Sequence, residues 1–182
     1  MQRLTEAEEI RLLNQVKNCD PLDFGSSRAV FSLFKELPQP KEPQPDLVLK
    51  VAFDEGGQTQ NKTEVEVFAK YGYDSPLVPI VAYGKYVVVM YEVYPLYCDE
   101  WKEFSRKQLG EFNEIVNFLD DELGQTGDNK QVGYLNGELY AYDYGLRDEI
   151  AEYSISFDMF DNMEFLGSKK MINKLLDFFP EM

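Results

Sequence analysis

Apolar residues recur three and four positions apart in four stretches of the chain, and this spacing predicts four amphipathic helices. The first helix is expected to begin at Thr5, because Thr5 and Glu8 form a capping-box pattern. Asn61 and Glu64 give the second helix a similar start, and Ser168 is the candidate cap of the last helix. The four predicted helices cover residues 5–18, 61–71, 108–123 and 168–179.

Stretches rich in β-branched and aromatic residues lie between these helices and predict strands. The run from Leu47 to Phe53 is apolar apart from Lys50, and Gly56-Gly57 is expected to interrupt regular structure after this strand. Asn136-Gly137 separates two further runs and is the preferred pair of a type I′ hairpin. The order of the elements predicts an α+β fold. The predicted strands lie within residues 28–37, 47–53, 80–94 and 132–142.

The charge balance of the chain excludes several classes of function. Its 182 residues include 33 acidic and 18 basic side chains, which gives a net charge of −15, and histidine is absent. Without histidine, imidazole bases, histidine triads and histidine metal sites are excluded. Direct nucleic-acid binding is not expected, because it needs a basic face. Hydrophobic residues make up 44% of the chain, so we expect a packed core rather than disorder.

The cysteine count and the apolar runs bear on the compartment. Cys19 and Cys98 are too few for a disulfide scaffold or a thiolate zinc site, which favours a reducing cytoplasm. No run approaches the roughly 18 apolar residues that a membrane span needs. The acidic start of the sequence is not typical of a secretory signal. We therefore expect a soluble, cytoplasmic protein with no membrane partner.

Four short motifs occur in an order that suggests chemistry. Gly25-Ser-Ser-Arg28 precedes a predicted strand, and Lys50 lies inside the next one. Glu64 lies on the following helix, and Asp143-Tyr-Gly follows the late hairpin. This succession resembles the protein-kinase-like superfamily, including aminoglycoside-phosphotransferase-like proteins and small kinase-like proteins of phages and bacteria. A phage origin would place the chain in the host cytoplasm.

The resemblance implies two lobes, two cofactors and a set of site residues. An antiparallel N-lobe sheet with one inserted helix is expected over residues 1–92, and a truncated, mainly helical C-lobe over residues 93–182. ATP and Mg²⁺ are the implied cofactors. In this family a strand lysine binds phosphates, a helix glutamate holds the lysine, and an aspartate holds the metal. The implied nucleotide-binding residues are Gly25, Val30, Lys50, Glu64 and Glu92, and the implied metal ligands are Asp143 and Gln131.

Some of these residues also fit simpler interpretations. Gly25 fits an ordinary turn, because Asp23 and Arg28 stand where the family pattern has its other two glycines. Asp143-Tyr-Gly also fits an ordinary turn, and Lys50 fits an edge-strand lysine that faces water. For each of these three, the nucleotide-site interpretation and the simpler one stay open at this point.

A lysine inside an apolar strand is costly unless it is paired, so Lys50 requires an anionic partner if its strand is buried. Glu64 is the natural candidate on the helix that follows. Glu66 is a rival, because Glu64 also completes the capping pattern that Asn61 begins.

The catalytic loop departs from the family pattern. Counting back from Asp143, the general base falls on Thr126 and the metal-binding amide on Gln131, so neither family residue is kept. A second register makes Asp128 the base and places Gly133 at the amide position, at the cost of a shorter loop. We prefer the first register because it needs no deletion. Since threonine cannot accept a proton near neutral pH, fast phosphoryl transfer is not expected.

Three functions follow from these observations. The first is a pseudokinase-like protein that docks on a partner protein, with nucleotide binding optional. The second is an active small phosphotransferase that uses Asp128 as the base, Asp143 for Mg²⁺ and Lys50 for phosphates. The third is an acidic inhibitor of a basic, nucleic-acid-binding protein, since the net charge of −15 favours a partner with a basic surface.

Overall fold

A computed structural model gives the fold of the chain. It describes residues 1–25, 27–33, 45–96, 103–125, 131–145, 168–177 and 179, and the structural statements below concern these residues. The fold is of the α+β class, as predicted. None of the helices in this part of the chain is long and apolar enough to cross a membrane.

Four α-helices, one 3₁₀ helix (Gly72–Asp74) and nine strands are present in the described residues. The helices are α1 (Glu6–Val16), α2 (Glu55–Tyr71), α3 (Arg106–Leu123) and α4 (Ser168–Leu176). The strands are β1 (Gln2–Arg3), β2 (Asp23–Phe24), β3 (Arg28–Leu33), β4 (Leu47–Ala52), β5 (Ile80–Tyr83), β6 (Val87–Tyr91), β7 (Tyr94–Pro95), β8 (Val132–Leu135) and β9 (Glu138–Ala141).

The strands form two sheets. The first has six strands in the order β1-β5-β6-β4-β3-β2, and its pairs are antiparallel except for β1 with β5. Helix α2 is inserted between β4 and β5. The second sheet has three antiparallel strands in the order β7-β8-β9. Its hairpin turns through Asn136 and Gly137 with φ values of 53° and 86°, the left-handed conformation that a type I′ turn requires.

The central strand β4 is buried on both faces, which explains its nearly continuous apolar sequence. Leu49 and Val51 belong to a cluster with α1 and α4 on one face of the first sheet. Val48 belongs to a second cluster with α2, α3 and the β8–β9 hairpin on the other face. Because side chains alternate along a strand, Lys50 shares the face of Val48 and points toward α2.

Helix α2 begins at Glu55, so the prediction of a start at Asn61 was wrong. The cap is Asp54, whose carboxylate accepts a hydrogen bond from the Gly57 N–H at 2.8 Å. The glycine pair therefore lies in the first turn of the helix instead of forming an irregular segment between the strand and the helix. A Cβ atom at Gly57 would lie 2.3 Å from the carbonyl oxygen of Ser27, so glycine permits the helix to approach the β2–β3 turn.

The other predicted helices and strands are present, with small shifts at their ends. Helix α3 begins at Arg106, capped by Ser105, instead of at Gln108, and the last helix begins at Ser168 itself. The first strand of the predicted set covers Arg28–Leu33 in the described residues, and its predicted remainder, 34–37, lies outside them.

The last helix returns to the first sheet. Ile172 and Leu175 on α4 are buried in the same cluster as Leu13 and Val16 on α1 and Phe31 on β3. The predicted lobe boundary at residues 92 and 93 stays a prediction, but α4 packs with elements from before that boundary. The second half of the chain also contains the three-stranded sheet, whereas the predicted C-lobe was described as mainly helical.

Candidate buried charge site

The site forms where β3, β4, α2 and the segment after β9 meet. Lys50 points from β4 toward α2, and its neighbour in register on β3 is Val30. Glu64 lies on the inner face of α2 and is fully buried. Asp143 follows β9, and its carboxylate is the most exposed of the group at 20% of the side chain. The fold thus brings together residues from four separate parts of the sequence.

Lys50 is paired as its burial requires. Its Nζ lies 2.6 Å from the Glu64 Oε1 and 3.3 Å from the Asp143 Oδ1, and 5% of its side chain is exposed. The rival candidate, Glu66, points outward with 61% of its side chain exposed and pairs with Lys62 at 3.7 Å. Glu64 is therefore the partner on α2, and the alternative of a water-facing edge-strand lysine is excluded.

Arg28 is a fourth member of the site that sequence reasoning missed. Its Nη1 lies 3.2 Å from the Glu64 Oε1 and donates to the Asn61 Oδ1 at 3.2 Å, and its Nη2 forms an ion pair with the Asp143 Oδ1. Only 8% of the Arg28 side chain is exposed. In the sequence this residue counted as part of the Gly25-Ser-Ser-Arg28 motif and stood in the place of a family glycine, with no role in the site. The signal that could have found it is its position in register with the end of the lysine strand.

The four charges balance, and we call Arg28, Lys50, Glu64 and Asp143 the charge quartet. Burial alone would raise the pKa of the Asp143 carboxyl, but the nearby charges of Lys50 and Arg28 outweigh burial and hold that pKa well below its usual range. Burial alone would lower the pKa of Arg28, and the Glu64 and Asp143 carboxylates raise it instead. Asp143 and Arg28 are therefore both charged at neutral pH, and the formal charges of the two basic and two acidic side chains of the quartet sum to zero.

The residues after Asp143 fix its position. Asp143 adopts a left-handed backbone with φ of 53°, which is uncommon outside glycine. The Tyr144 ring is buried, and its hydroxyl donates to the Val78 carbonyl at 2.9 Å. Burial, followed by the charge of Glu64, raises the pKa of Tyr144 well above its usual value, so the hydroxyl stays a donor. A Cβ atom at Gly145 would lie 2.5 Å from the Gln60 carbonyl oxygen, so glycine allows this segment to lie directly on α2.

The other predicted site residues lie outside the ion pairs of the quartet. The Gly25 N–H donates to the Arg28 carbonyl at 2.8 Å, so the turn itself uses this donor. The Gln131 carbonyl accepts from the Tyr142 N–H at 2.9 Å, which places Gln131 beside the residue that precedes Asp143. Thr126 and Asp128, the alternatives for the general base, lie outside the described residues.

Glu92, one of the implied nucleotide-binding residues, lines a cavity to which the charge quartet does not contribute. This cavity of about 230 Å³ is also lined by Asp46, Tyr94 and Tyr134. Burial and then the charge of Asp46 raise the pKa of the Glu92 carboxyl. A second cavity of about 870 Å³ lies beside α2 and the β5–β6 turn. No member of the charge quartet lines either of these two cavities.

The quartet does not fit the metal ion that the resemblance implies. Mg²⁺ needs several carboxylate oxygens that are free to bind it, whereas the Asp143 Oδ1 and the Glu64 Oε1 are each held by both Arg28 and Lys50. Within the described ranges there is no group of three or more acidic or cysteine side chains that could hold a metal ion. As it stands, the arrangement is an internally neutralised ion-pair cluster.

The geometry of the chain is the basis for assigning its function, because comparison with known families adds no assignment. Neither a protein-family comparison, nor a search of curated proteins, nor a search of solved structures finds a match to this chain.

Proposed function

We propose that the chain is a kinase-like protein that acts by docking on a partner protein and does not transfer phosphate. The arrangement that supports a kinase-like fold is an antiparallel sheet with one inserted helix, in which a strand lysine pairs with a helix glutamate beside the aspartate of an Asp-x-Gly motif. Lys50 and Glu64 lie 2.6 Å apart, and Asp143 lies 3.3 Å from the same lysine.

One observation supports the loss of phosphoryl transfer. Arg28 fills the space between Glu64 and Asp143, so the quartet is neutral without any ligand. Phosphoryl transfer depends on positioned metal ions and on free positive charge at the phosphates. Here the positive charge of Lys50 is already neutralised by two carboxylates, and the carboxylate of Asp143 by two cations. Nucleotide binding is therefore not needed to complete the fold.

The charge of the whole chain supports the choice of partner. With a net charge of −15, the surface attracts a partner that has a basic face, and complementary charge accelerates association. Such binding weakens with added salt, because exposed charges more than a Debye length apart are screened. We therefore propose a basic protein surface as the docking partner, and this includes the third alternative, inhibition of a nucleic-acid-binding protein by occupation of its basic face.

The proposal is tested by measuring phosphoryl transfer and ligand-induced stabilisation on the same preparation. Wild-type protein and D143N are incubated with γ-labelled ATP and Mg²⁺, and both are heated with and without the nucleotide. We expect no labelled product, and a melting temperature for wild type that Mg·ATP leaves unchanged. Turnover that is lost in D143N would overturn the proposal and establish the alternative, an active small phosphotransferase. The Lys50–Glu64 pair is the observation that keeps this alternative in view.

Docking is tested by the salt dependence of capture. Immobilised wild-type protein is expected to retain basic proteins at about 0.05 M NaCl and to release them near 0.5 M, because the Debye length falls to a few ångströms. The proteins that elute are identified, and each is purified and titrated back onto the wild-type chain. If no purified protein binds, or if binding is indifferent to salt, the proposal of a basic partner is wrong.

A further inference from the structure

We propose that the Arg28 guanidinium is a resident counter-cation. It occupies the place beside Asp143 where the resemblance implies a divalent metal ion, and it so excludes metal ions from the charge quartet. The inference concerns the same site as the proposed function but does not depend on a docking partner. It assigns a role in the site to a residue for which the family resemblance implies none. It also predicts what the site becomes when that residue is removed.

The geometry shows that Arg28 bridges both carboxylates. One of its terminal nitrogens lies 3.2 Å from the Glu64 Oε1, and the other forms an ion pair with the Asp143 Oδ1. A planar guanidinium is suited to this bridging, whereas an ammonium is a single point charge. Asn61 fixes the first nitrogen by accepting its hydrogen bond at 3.2 Å and is itself anchored, because its Nδ2 donates to the Tyr86 carbonyl at 3.1 Å.

Charge arithmetic explains why Arg28 competes with a metal ion. Lys50 alone leaves the two carboxylates with a net charge of −1, and a buried net charge must be neutralised. The guanidinium brings this charge from −1 to zero, whereas a divalent ion from solution would be attracted by it but would bring it to +1. Arginine stays protonated at every relevant pH, so the resident charge is not removed by titration. The competition therefore favours Arg28, which is covalently part of the chain and needs no recruitment from solution.

A second, independent observation indicates that the site can accept another ligand. The Glu64 Oε2 is buried in a residue with no exposed surface, and it has no hydrogen-bond partner among the described residues. Buried polar atoms of this kind are rare, and each calls for an explanation such as an ion or a water molecule. The Glu64 and Asp143 carboxylates both contact the Lys50 Nζ, at 2.6 Å and 3.3 Å. When Arg28 is removed, they become two carboxylates that share one cation, and such hard oxygen donors suit Mg²⁺ or Mn²⁺.

The experiment measures Mn²⁺ binding by electron paramagnetic resonance, with no nucleotide present. The proteins are wild type, R28Q, the double variant R28Q/D143N, and R3Q as a matched control. Arg3 is exposed on β1, outside the quartet. We expect R28Q to bind Mn²⁺ at least about tenfold more tightly than wild type, which is the scale on which residues around a metal site change its affinity. R28Q/D143N and R3Q are expected to bind like wild type.

Two results would overturn the inference: R28Q that binds Mn²⁺ no better than wild type, or a gain that persists in R28Q/D143N. If R28Q does not fold in metal-free buffer, Mn²⁺ must restore its circular dichroism spectrum, and failure to do so also counts against the inference. R28K provides a second route, because it keeps the buried charge but cannot bridge both carboxylates. Its Mn²⁺ affinity must lie between those of wild type and R28Q, because its charge still neutralises the carboxylates while one of them loses its contact. None of these outcomes involves a docking partner or phosphoryl transfer, so this inference and the proposed function can fail separately.

Discussion

Four ionised side chains are buried together in the charge quartet, and each is tolerated because the others neutralise it. Removing a single partner from such a cluster leaves a buried charge without compensation, which costs about 3–5 kcal/mol. Exposed pairs behave differently, because water already solvates both charges. The chain contains both kinds of pair on the same helix, since Glu64 is buried with Lys50 while Glu66 is exposed with Lys62.

Replacing Lys50 with methionine is expected to lower the free energy of unfolding by about 3–5 kcal/mol, because Glu64 then keeps only Arg28 as its cationic partner. The matched control is K62M, which breaks the exposed pair at 3.7 Å and should cost less than about 0.5 kcal/mol. Urea denaturation of both variants measures the difference. Equal effects would mean that the buried pair contributes no more than a surface pair.

The contribution of Asp143 to the free energy of unfolding depends on pH. Because its pKa is lower in the folded chain than in the unfolded one, the unfolded state binds the proton first as the pH falls. The stability that the carboxylate contributes is therefore present above its ordinary pKa of 3.8 and is lost progressively as the pH drops below that value. We expect D143N to be less stable than wild type by about 3 kcal/mol at neutral pH, with the difference shrinking below pH 3.8.

The measurement is urea denaturation of wild type and D143N at a series of pH values, with D74N as the control. Asp74 is exposed, so its substitution should shift stability by less than about 0.5 kcal/mol. A difference between D143N and wild type that stays constant down to the acid limit would contradict the charge assignment.

The pairing within the quartet could be predicted from the sequence only in part. The need of Lys50 for a partner follows from the desolvation cost of a lysine in an apolar strand. The choice between Glu64 and Glu66 could not be made, because it depends on the rotation of α2 about its axis. Arg28 was missed for a related reason. A single charged residue at the start of a strand carries no periodic signal, and only the register of β3 on β4 shows which face it shares.

At the scale of elements, α2 packs on the first sheet and also contacts the segment that follows the second sheet. It contributes Val67 and Phe68 to the cluster that also contains residues of α3 and the β8–β9 hairpin. Gly145 lies directly against its backbone, with a hypothetical Cβ atom 2.5 Å from the Gln60 carbonyl oxygen and 2.7 Å from the Glu64 Cγ. The absence of a side chain at Gly145 thus allows the segment after β9 to lie against α2.

Replacing Gly145 with alanine is expected to push the segment after β9 away from α2, to lengthen the Lys50–Asp143 ion pair and to destabilise the fold by about 1–3 kcal/mol. G110A is the control, and it is expected to change the stability in the opposite direction. Gly110 lies inside α3 with nothing within 4 Å of its hypothetical Cβ, so alanine there should stabilise the chain by about 0.5–1 kcal/mol. Thermal and urea denaturation compare the two, and a stabilised G145A would show that the close approach is not constrained.

Elements with a clear local signal could be predicted, and those shaped by distant contacts could not. The Asn136-Gly137 turn was predicted because its left-handed backbone needs these residue types whatever surrounds it. The start of α2 was placed too late because glycines usually interrupt helices. Here Gly57 is needed for the approach to Ser27, a residue on another element, and that contact is invisible in the local sequence.

At the scale of the whole molecule, the last helix belongs with the first. Ile172 on α4 is fully buried in the cluster that includes Leu13 and Val16 on α1. Phe179, just beyond the helix, packs edge-to-face on Tyr86, with ring centroids 5.5 Å apart. Residues from both halves of the sequence therefore complete one face of the six-stranded sheet, and they should unfold with it.

Replacing Ile172 with alanine is expected to cost about 2–5 kcal/mol, because it leaves a cavity in that cluster. The effect should appear in a single cooperative transition, with the same midpoint whether the signal reports on α4 or on the sheet. L109A is the control, since Leu109 is 39% exposed and its loss should change stability by about 0.5 kcal/mol or less. Separate transitions in I172A, one for α4 and one for the sheet, would contradict the shared core.

The cancellation of charge inside the quartet also restricts how this sequence can evolve. A neutral substitution at Arg28, Lys50, Glu64 or Asp143 leaves its counterparts unbalanced, so each single step crosses an intermediate that is poorly folded. Paired replacements of opposite sign, such as Lys50 together with Glu64, avoid that barrier. The four positions should therefore drift as a linked set, and descendants of this chain are expected to keep the whole quartet or to exchange it for apolar side chains in matched pairs.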